Sequence, residues 1–572
     1  ERKKSPEYFD IWEYFESNTP YHTLDLDIDP KHGLLQITTN IGILLEHDLY
    51  TLAPVDTIYT TEMWSQRISN LNEHMYVLES NGYNFYVRDR AQDQNRLKLV
   101  YLDNKNTIIT LPESPYYMCS KDASKMLHYV TPSLKVIGFD QLDPVYNRPD
   151  IVLDSIGKYF GGADQELITR YREAWEKRID RLGLDKEKLG KGEISVPNAE
   201  FVGAENIAFE NTSGQLELKI EANDPKYPLR RFNILVNEVP MYGSEGISIA
   251  SRGLMEWDTT ISVPLGLGEN KIQVSVMNEL GLENFKYPTY VNYTPKDKIA
   301  SKTYFIGIGV DKFKESGHDL SYCVKDIEDL SNAFQSTNNT KSIVLTNEQV
   351  TKENILALKS TLKNTNVHDK VIISCSSHGL LDNKKRFYLA MHDVDFNDPQ
   401  KRGLPYEELE GLLDSIPARQ KLLMLDACNS GENEVEQAKQ RLTQKENSIP
   451  KNKLETRGTP LYDEEEEAEF QSSFETMMEL FVNVSNETGS VIISAAGGKQ
   501  SALEGEAVKI DGKKIENGAF THSVLEYLKQ TDETLTVNGL KSYVEKRVEK
   551  ITQGRQHPTS RQETMEVDWE LR

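Results

Sequence analysis

Val371-Ile372-Ile373-Ser374-Cys375-Ser376-Ser377-His378-Gly379 and Leu422-Leu423-Met424-Leu425-Asp426-Ala427-Cys428-Asn429-Ser430-Gly431 decide the reading of this chain. Each is a short apolar run that ends on a reactive side chain, an imidazole in the first and a thiol in the second. Unbroken apolar runs suit strands that are buried on both faces, as in parallel sheets. If the two are neighbouring parallel strands, His378 and Cys428 emerge together at the carboxyl edge, where open α/β sheets hold their ligand crevices. Taken alone, a buried Cys is commonly a small hydrophobe and a buried His a satisfied polar group. Their shared place at strand ends, with Gly after the His and Ser-Gly beyond the Cys, favours a base and a nucleophile.

That pairing is the arrangement of a cysteine protease. Fifty residues separate His378 from Cys428, close to the roughly 50 between His and Cys in caspases. Further motifs extend the match: Tyr304-Phe305-Ile306-Gly307-Ile308-Gly309-Val310, Tyr322-Cys323-Val324-Lys325-Asp326, Ser377-His378-Gly379, Asp426 to Gly431, and Gly518-Ala519-Phe520-Thr521. From about Thr303 to the C-terminus the chain resembles the caspase and metacaspase superfamily, above all the caspase-like domains of bacteria. It departs from the metacaspase pattern at Ser377, where Gly is usual and caspases carry Ser, and at Asn429, where the family varies.

The resemblance implies the roles. Cys428 would attack the scissile carbonyl as thiolate, and His378 would promote thiolate formation and protonate the leaving amine. The backbone N–H groups of Gly379 and Cys428 would receive the oxyanion. Asp326 and Asp426 occupy positions that in metacaspases carry the carboxylates of the primary specificity pocket. Two carboxylates beside one buried pocket favour a cation between them, so cleavage after Arg or Lys is expected. In the plainer reading, Asp326 is an exposed helix residue and Asp426 a strand-end cap. Two other functions use the same domain: a catalytically silent scaffold whose β modules bind partners, and a thiol-dependent acyl transferase or ligase. No cofactor is required and no metal ligands are assigned; calcium activation is known among metacaspases.

At 572 residues the chain is too long for one core. Four scattered cysteines, Cys119, Cys323, Cys375 and Cys428, lack CxxC spacing, which argues against a zinc site or disulfide framework and favours a reducing cytoplasm. A net charge of −24 without a concentrated basic face excludes nucleic acid as an expected partner. No run approaches the roughly 18 apolar residues of a membrane span, and no secretory leader pattern stands at the start. Because the chain opens on Glu1 rather than Met, it reads as a fragment whose upstream part could carry a signal. The expected partners are protein substrates, with an activating partner or upstream protease.

The expected architecture is multidomain. Residues 1–145 alternate in short runs, such as Leu34-Leu35-Gln36-Ile37 and Leu97 to Leu102, and read as an all-β, propeller-like region that resembles part of a WD40 propeller. At roughly 40 to 45 residues per blade this region holds too few blades to close a ring. Residues 146–193 read as a helical connector. Residues 194–298 alternate strongly and resemble an immunoglobulin-like β-sandwich without a disulfide. Residues 299–572 read as the α/β caspase-like peptidase domain, its sheet covered on both faces. In it Ile327, Leu330 and Phe334, and then Ile355, Leu358 and Leu362, make core-facing helical stripes. Thr351 can cap the second helix, and Tyr406, Leu409, Leu412 and Leu413 mark another.

Between residues 432 and 471 charge replaces apolar periodicity, so a mobile acidic loop is expected. It carries Arg441, Lys445, Lys451, Lys453 and Arg457, candidate basic points for activating cleavage; the alternative is a passive solvated insertion. Beyond it Phe474, Met477, Met478 and Phe481 suggest a core-facing helix leading to a strand over Ser490 to Ala495.

Overall fold

The computed structural model describes residues 195–336, 339–382, 386–427, 429–430, 488–495, 509–510, 513–530, 534–554, 556–562 and 568–571. Upstream it describes 23–29, 34–39, 43–48, 54–59, 65–70, 74–80, 84–89, 91–92, 94–103, 106–112, 114–120, 123, 126–130, 136–138, 142–160, 165–181 and 184–189. The chain divides into two compact units, Glu1–Ile179 and Asp180–Arg572.

In the first unit, strands Thr23–Asp29, Leu34–Thr39, Ile43–Asp48 and Pro54–Tyr59 form an antiparallel meander. The next six strands, from Ser65–Asn70 to Tyr117–Cys119, form a second meander in chain order. Propeller blades have four strands, and six consecutive strands in one sheet do not repeat that unit; a propeller is not shown. Helices Pro149–Phe160 and Gln165–Arg181 follow. Asp143 accepts from Arg178 Nη1 at 2.6 Å, Tyr117 Oη at 3.1 Å and Asn147 Nδ2 at 2.9 Å. One buried carboxylate thus ties strand, turn and helix.

The second unit begins with two β-sheets that share one core. One sheet joins Asn198–Phe201, Gln215–Asn223 and Glu256–Pro264; the other is built around Leu229–Val236, Gly268–Asn278 and Thr289–Tyr293. Leu218, Ile220 and Val263 from the first sheet meet Phe232, Ile234, Val274 and Val276 from the second. The strict alternation of Gln215–Asn223, with every second residue from Leu218 to Ala222 buried, produces one inward face.

The last domain is a six-stranded sheet in the order Thr340–Thr346, Thr303–Gly309, Lys370–Ser376, Gln420–Asp426, Val491–Ser494 and Thr559–Gln562; the first five run parallel and the last antiparallel. Alternate residues of the apolar runs enter two cores. Val371, Ile373, Leu423 and Leu425 pack with helix Lys352–Leu362 on one face. Ile372, Leu422 and Met424 pack with helices Cys323–Gln335, Ala519–Leu528 and Val537–Thr552 on the other. Helix Cys323–Gln335 lies so close to Thr303–Gly309 that a Cβ on Gly307 would stand 2.2 Å from Ile327 Cγ2, and one on Gly309 would stand 2.8 Å from the Cys323 carbonyl oxygen. The two glycines allow that approach. Both expected stripes are buried, and Thr351 caps its helix by accepting from Asn354 N. The helix at Tyr406 is shorter than its apolar spacing suggests, covering only Tyr406–Glu410. Lys359 Nζ donates to the carbonyls of Gly411, Leu412 and Asp414, which ties down the turn that follows the helix.

The sandwich and the six-stranded sheet meet through specific contacts. Asp414 accepts from Ser244 N at 2.8 Å and Ser244 Oγ at 3.3 Å. Arg419 donates to the Pro264 carbonyl, and the rings of Tyr293 and His368 lie 6.1 Å apart. Arg419 and His368 just precede the strands that begin at Gln420 and Lys370. The sandwich therefore supports the amino edge of the sheet, away from the edge where His378 emerges.

Candidate active site

Strand register explains the spacing of the two reactive residues. Lys370–Ser376 pairs with Gln420–Asp426 in parallel, Lys370 opposite Gln420 and Ser376 opposite Asp426. Every pair differs by fifty in number, the interval from His378 to Cys428. Beyond the sheet the same offset returns, with Gly379 opposite Asn429 and Leu380 opposite Ser430. Register is thus kept on both sides of the pair. Cys428 itself lies outside the described residues, as do Arg441, Lys445, Lys451, Lys453, Arg457 and the 474–481 stripe.

The loop bearing His378 is held at several points. Val310 N donates to the Ser376 carbonyl at 3.1 Å, Ser377 N to the Asp426 carbonyl at 3.4 Å, and Ala390 N to the His378 carbonyl at 2.9 Å. Ser377 Oγ donates to the Ala390 carbonyl at 2.8 Å. The serine before His-Gly therefore has a bond that glycine could not make.

His378 is 8% exposed, and its Nε2 lies 2.8 Å from the carbonyl oxygen of His318. A carbonyl only accepts, so Nε2 must carry the proton and Nδ1 becomes the basic nitrogen of the neutral ring. Phe313 and Phe396 flank the imidazole, with ring centroids 5.3 and 5.7 Å away. These three partners come from the loops after Thr303–Gly309 and Phe387–Leu389, and sequence reasoning missed all of them. Nothing in the local pattern of Asp311 to Leu320 marks His318, because its role follows from the meeting of three strand ends.

Asp326 and Asp426 are both buried, at 0% and 1% exposure. The expectation of an exposed helix residue fails for Asp326, which lies in the first turn of Cys323–Gln335, against the sheet. Its Oδ1 accepts from Asn517 Nδ2 at 3.0 Å and Gly518 N at 3.1 Å. Asp426 Oδ2 accepts from Thr521 Oγ1 at 3.0 Å. Both acids thus converge on the start of helix Ala519–Leu528, which explains why the Gly518-Ala519-Phe520-Thr521 motif accompanies them.

Cys375 faces the core; burial pushes its thiol well above the usual range, which keeps it un-ionised and inert. Among the described residues no group of three or more His, Cys, Asp or Glu side chains is gathered to hold a metal. Among them no helix is long and apolar enough to cross a membrane.

Residues 306–569 match the family model described as Caspase domain. A caspase-family cysteine peptidase domain therefore occupies this part of the chain, and protein substrates follow from it. None of the curated proteins matches the chain. Among solved structures, a Geobacter sulfurreducens protein from structural genomics is 16% identical, covering 46% of this chain and 95% of its own, with a TM-score of 0.32.

Proposed function

We propose that the chain is a cysteine endopeptidase in which Cys428 is the nucleophile and His378 the base, cleaving after Arg or Lys. The observation that carries this reading is the fifty-residue register, which brackets His378 and Cys428 with paired residues. In the reaction, Nδ1 of His378 takes the thiol proton, and the thiolate adds to the scissile carbonyl. The proton then passes to the leaving amine, and water attacks the thioester. The N–H groups of Gly379 and Cys428 receive the oxyanion, a contribution of about 3 kcal/mol.

Convergence of Asp326 and Asp426 on one helix start supports a cation-seeking pocket. An acidic substrate side chain would meet two carboxylates there and be rejected. Cleavage in the 432–471 segment at Arg441, Lys445, Lys451, Lys453 or Arg457, by the enzyme itself or by an upstream protease, would activate it. The sandwich would act from the amino edge as a regulatory support, and a reducing cytoplasm suits the free thiols.

A peptide library tests the specificity, read with and without calcium. Arg and Lys should exceed Asp before the cut by a large factor, and Asp426→Asn should weaken basic cleavage while the fold is kept. A preference for Asp would overturn the pocket assignment. Acyl transfer without net hydrolysis would point to a transferase, and no Cys428-dependent product at all to a scaffold.

A further inference from the structure

His318 contributes more than a carbonyl. Its imidazole lies flat on Phe396, with centroids 3.7 Å apart and planes at 10°. Phe396 is only 1% exposed, meets His378 edge to face at 82°, and meets Phe313 at 77°. The residue whose carbonyl fixes Nε2 of His378 is therefore clamped to the same ring that supports the His378 imidazole.

Further bonds join the two loops beneath the stack. Lys314 N donates to the His392 carbonyl at 2.8 Å, and His392 Nδ1 meets the Lys312 carbonyl at 2.7 Å. Phe396 N donates to Glu315 Oε2 at 3.4 Å. Beside residue 318, Phe313 N donates to Asp319 Oδ1 at 3.1 Å and Leu320 N to the Asp311 carbonyl at 2.8 Å. These bonds hold the backbone on the C-terminal side of His318, and the stacked ring holds residue 318 itself.

We propose that His318 and Phe396 are positioning residues that hold His378 in the Nε2-protonated tautomer through their ring stack. This rests on the dyad reading above. An aromatic contact of this kind restrains by an amount equivalent to about two- to tenfold in a rate, and loss of the tautomer adds to that effect.

The test uses the full chain with His318→Ala, His318→Phe and His378→Ala. The His318 side chain is partly exposed, at 22%, so its removal does not open the core. His318→Phe keeps a flat ring over Phe396 while removing any charge pairing with Glu315, which lies 3.8 Å from His318 Nε2. Two readouts are taken: kcat and KM on an Arg peptide, and the pH profile of Cys428 alkylation by iodoacetamide, mapped by mass spectrometry. His318→Ala should lower kcat about tenfold with KM within about twofold, and should shift the alkylation profile toward that of His378→Ala. His318→Phe should restore both. If His378→Ala alkylates as the wild type does, the dyad reading itself fails and the positioning role with it. If His378→Ala loses the low-pH reactivity while His318→Ala keeps it, the dyad stands and the positioning role is overturned. Equal damage from His318→Phe and His318→Ala also overturns it, because the effect would then belong to the imidazole and not to the stack.

Discussion

Replacing Asp326 separates structural anchoring from substrate binding. Its buried carboxylate holds two donors, Asn517 Nδ2 at 3.0 Å and Gly518 N at 3.1 Å, across nearly two hundred residues of chain. Asp326→Asn keeps the shape and one acceptor oxygen but removes the charge. Hydrogen bonds to charged groups contribute about 1.5 to 3 kcal/mol and neutral ones about 0.5 to 1.5. Two bonds that each lose about 1 kcal/mol give a cost of about 2 kcal/mol. Asp326→Ala strips the acceptor from buried Gly518 N, while Asn517 Nδ2 keeps Asp329 Oδ2 at 2.9 Å; one orphaned donor at about 1 to 3 kcal/mol and one lost second bond at about 1 kcal/mol give about 3 kcal/mol. At about 2 to 4 °C per kcal/mol for a large domain, the midpoint should fall by about 4 to 8 °C for Asn and about 6 to 12 °C for Ala. Thermal unfolding followed by near-ultraviolet circular dichroism reads this directly. Asn517→Ala should give a smaller loss, and the double variant should show coupling of about 1 kcal/mol. A midpoint for Asp326→Ala within about 1 °C of wild type would refute the anchoring account. Lost activity at an unchanged midpoint would leave Asp326 with substrate binding alone.

Glu283 makes the sandwich sensitive to acid. Burial opposes its charge, but Lys286 at 2.6 Å and Arg231 at 3.5 Å outweigh that and bring its pKa down to about 2, from 4.5. A lowered folded pKa stabilises above the unfolded value, so about 3 kcal/mol should be present above about pH 4.5 and lost as pH falls toward 2. Glu283→Gln should flatten that part of the stability profile in denaturant melts; an unchanged slope would contradict the ion-pair assignment. Cys375→Ala should leave peptide hydrolysis intact and cost about 1 kcal/mol or somewhat more, through the small cavity left in the core; lost activity would place Cys375 in the chemistry. Replacing Arg441, Lys445, Lys451, Lys453 and Arg457 together with Gln should give a stable but poorly activated chain on gels and in peptide assays. Full activity, alongside an uncut active wild type, would favour a passive insertion.

Legibility followed the range over which each pattern acts. The two reactive strands were readable because parallel strands buried on both faces become continuous apolar runs, and because their register is the numerical interval between His378 and Cys428. Helical stripes such as Ile327, Leu330 and Phe334 were readable for the same local reason. The His318 carbonyl and the Phe313 and Phe396 rings were not, since loops from separate strand ends converge on His378 without any shared sequence period. The bond from Gly518 N to Asp326 is equally hidden, because the two motifs stand nearly two hundred residues apart in the sequence. In the first unit alternation revealed strands but not their grouping: hairpins repeat alike whether four or six join one sheet, so the six-stranded meander could not be told from blades.

Hydrolysis of an Arg peptide by wild type, His378→Ala and Cys428→Ala, with matched unfolding midpoints, tests the dyad most directly. Turnover is expected from the wild type, no more than traces from His378→Ala, and none from Cys428→Ala. Full activity in pure Cys428→Ala would contradict the dyad.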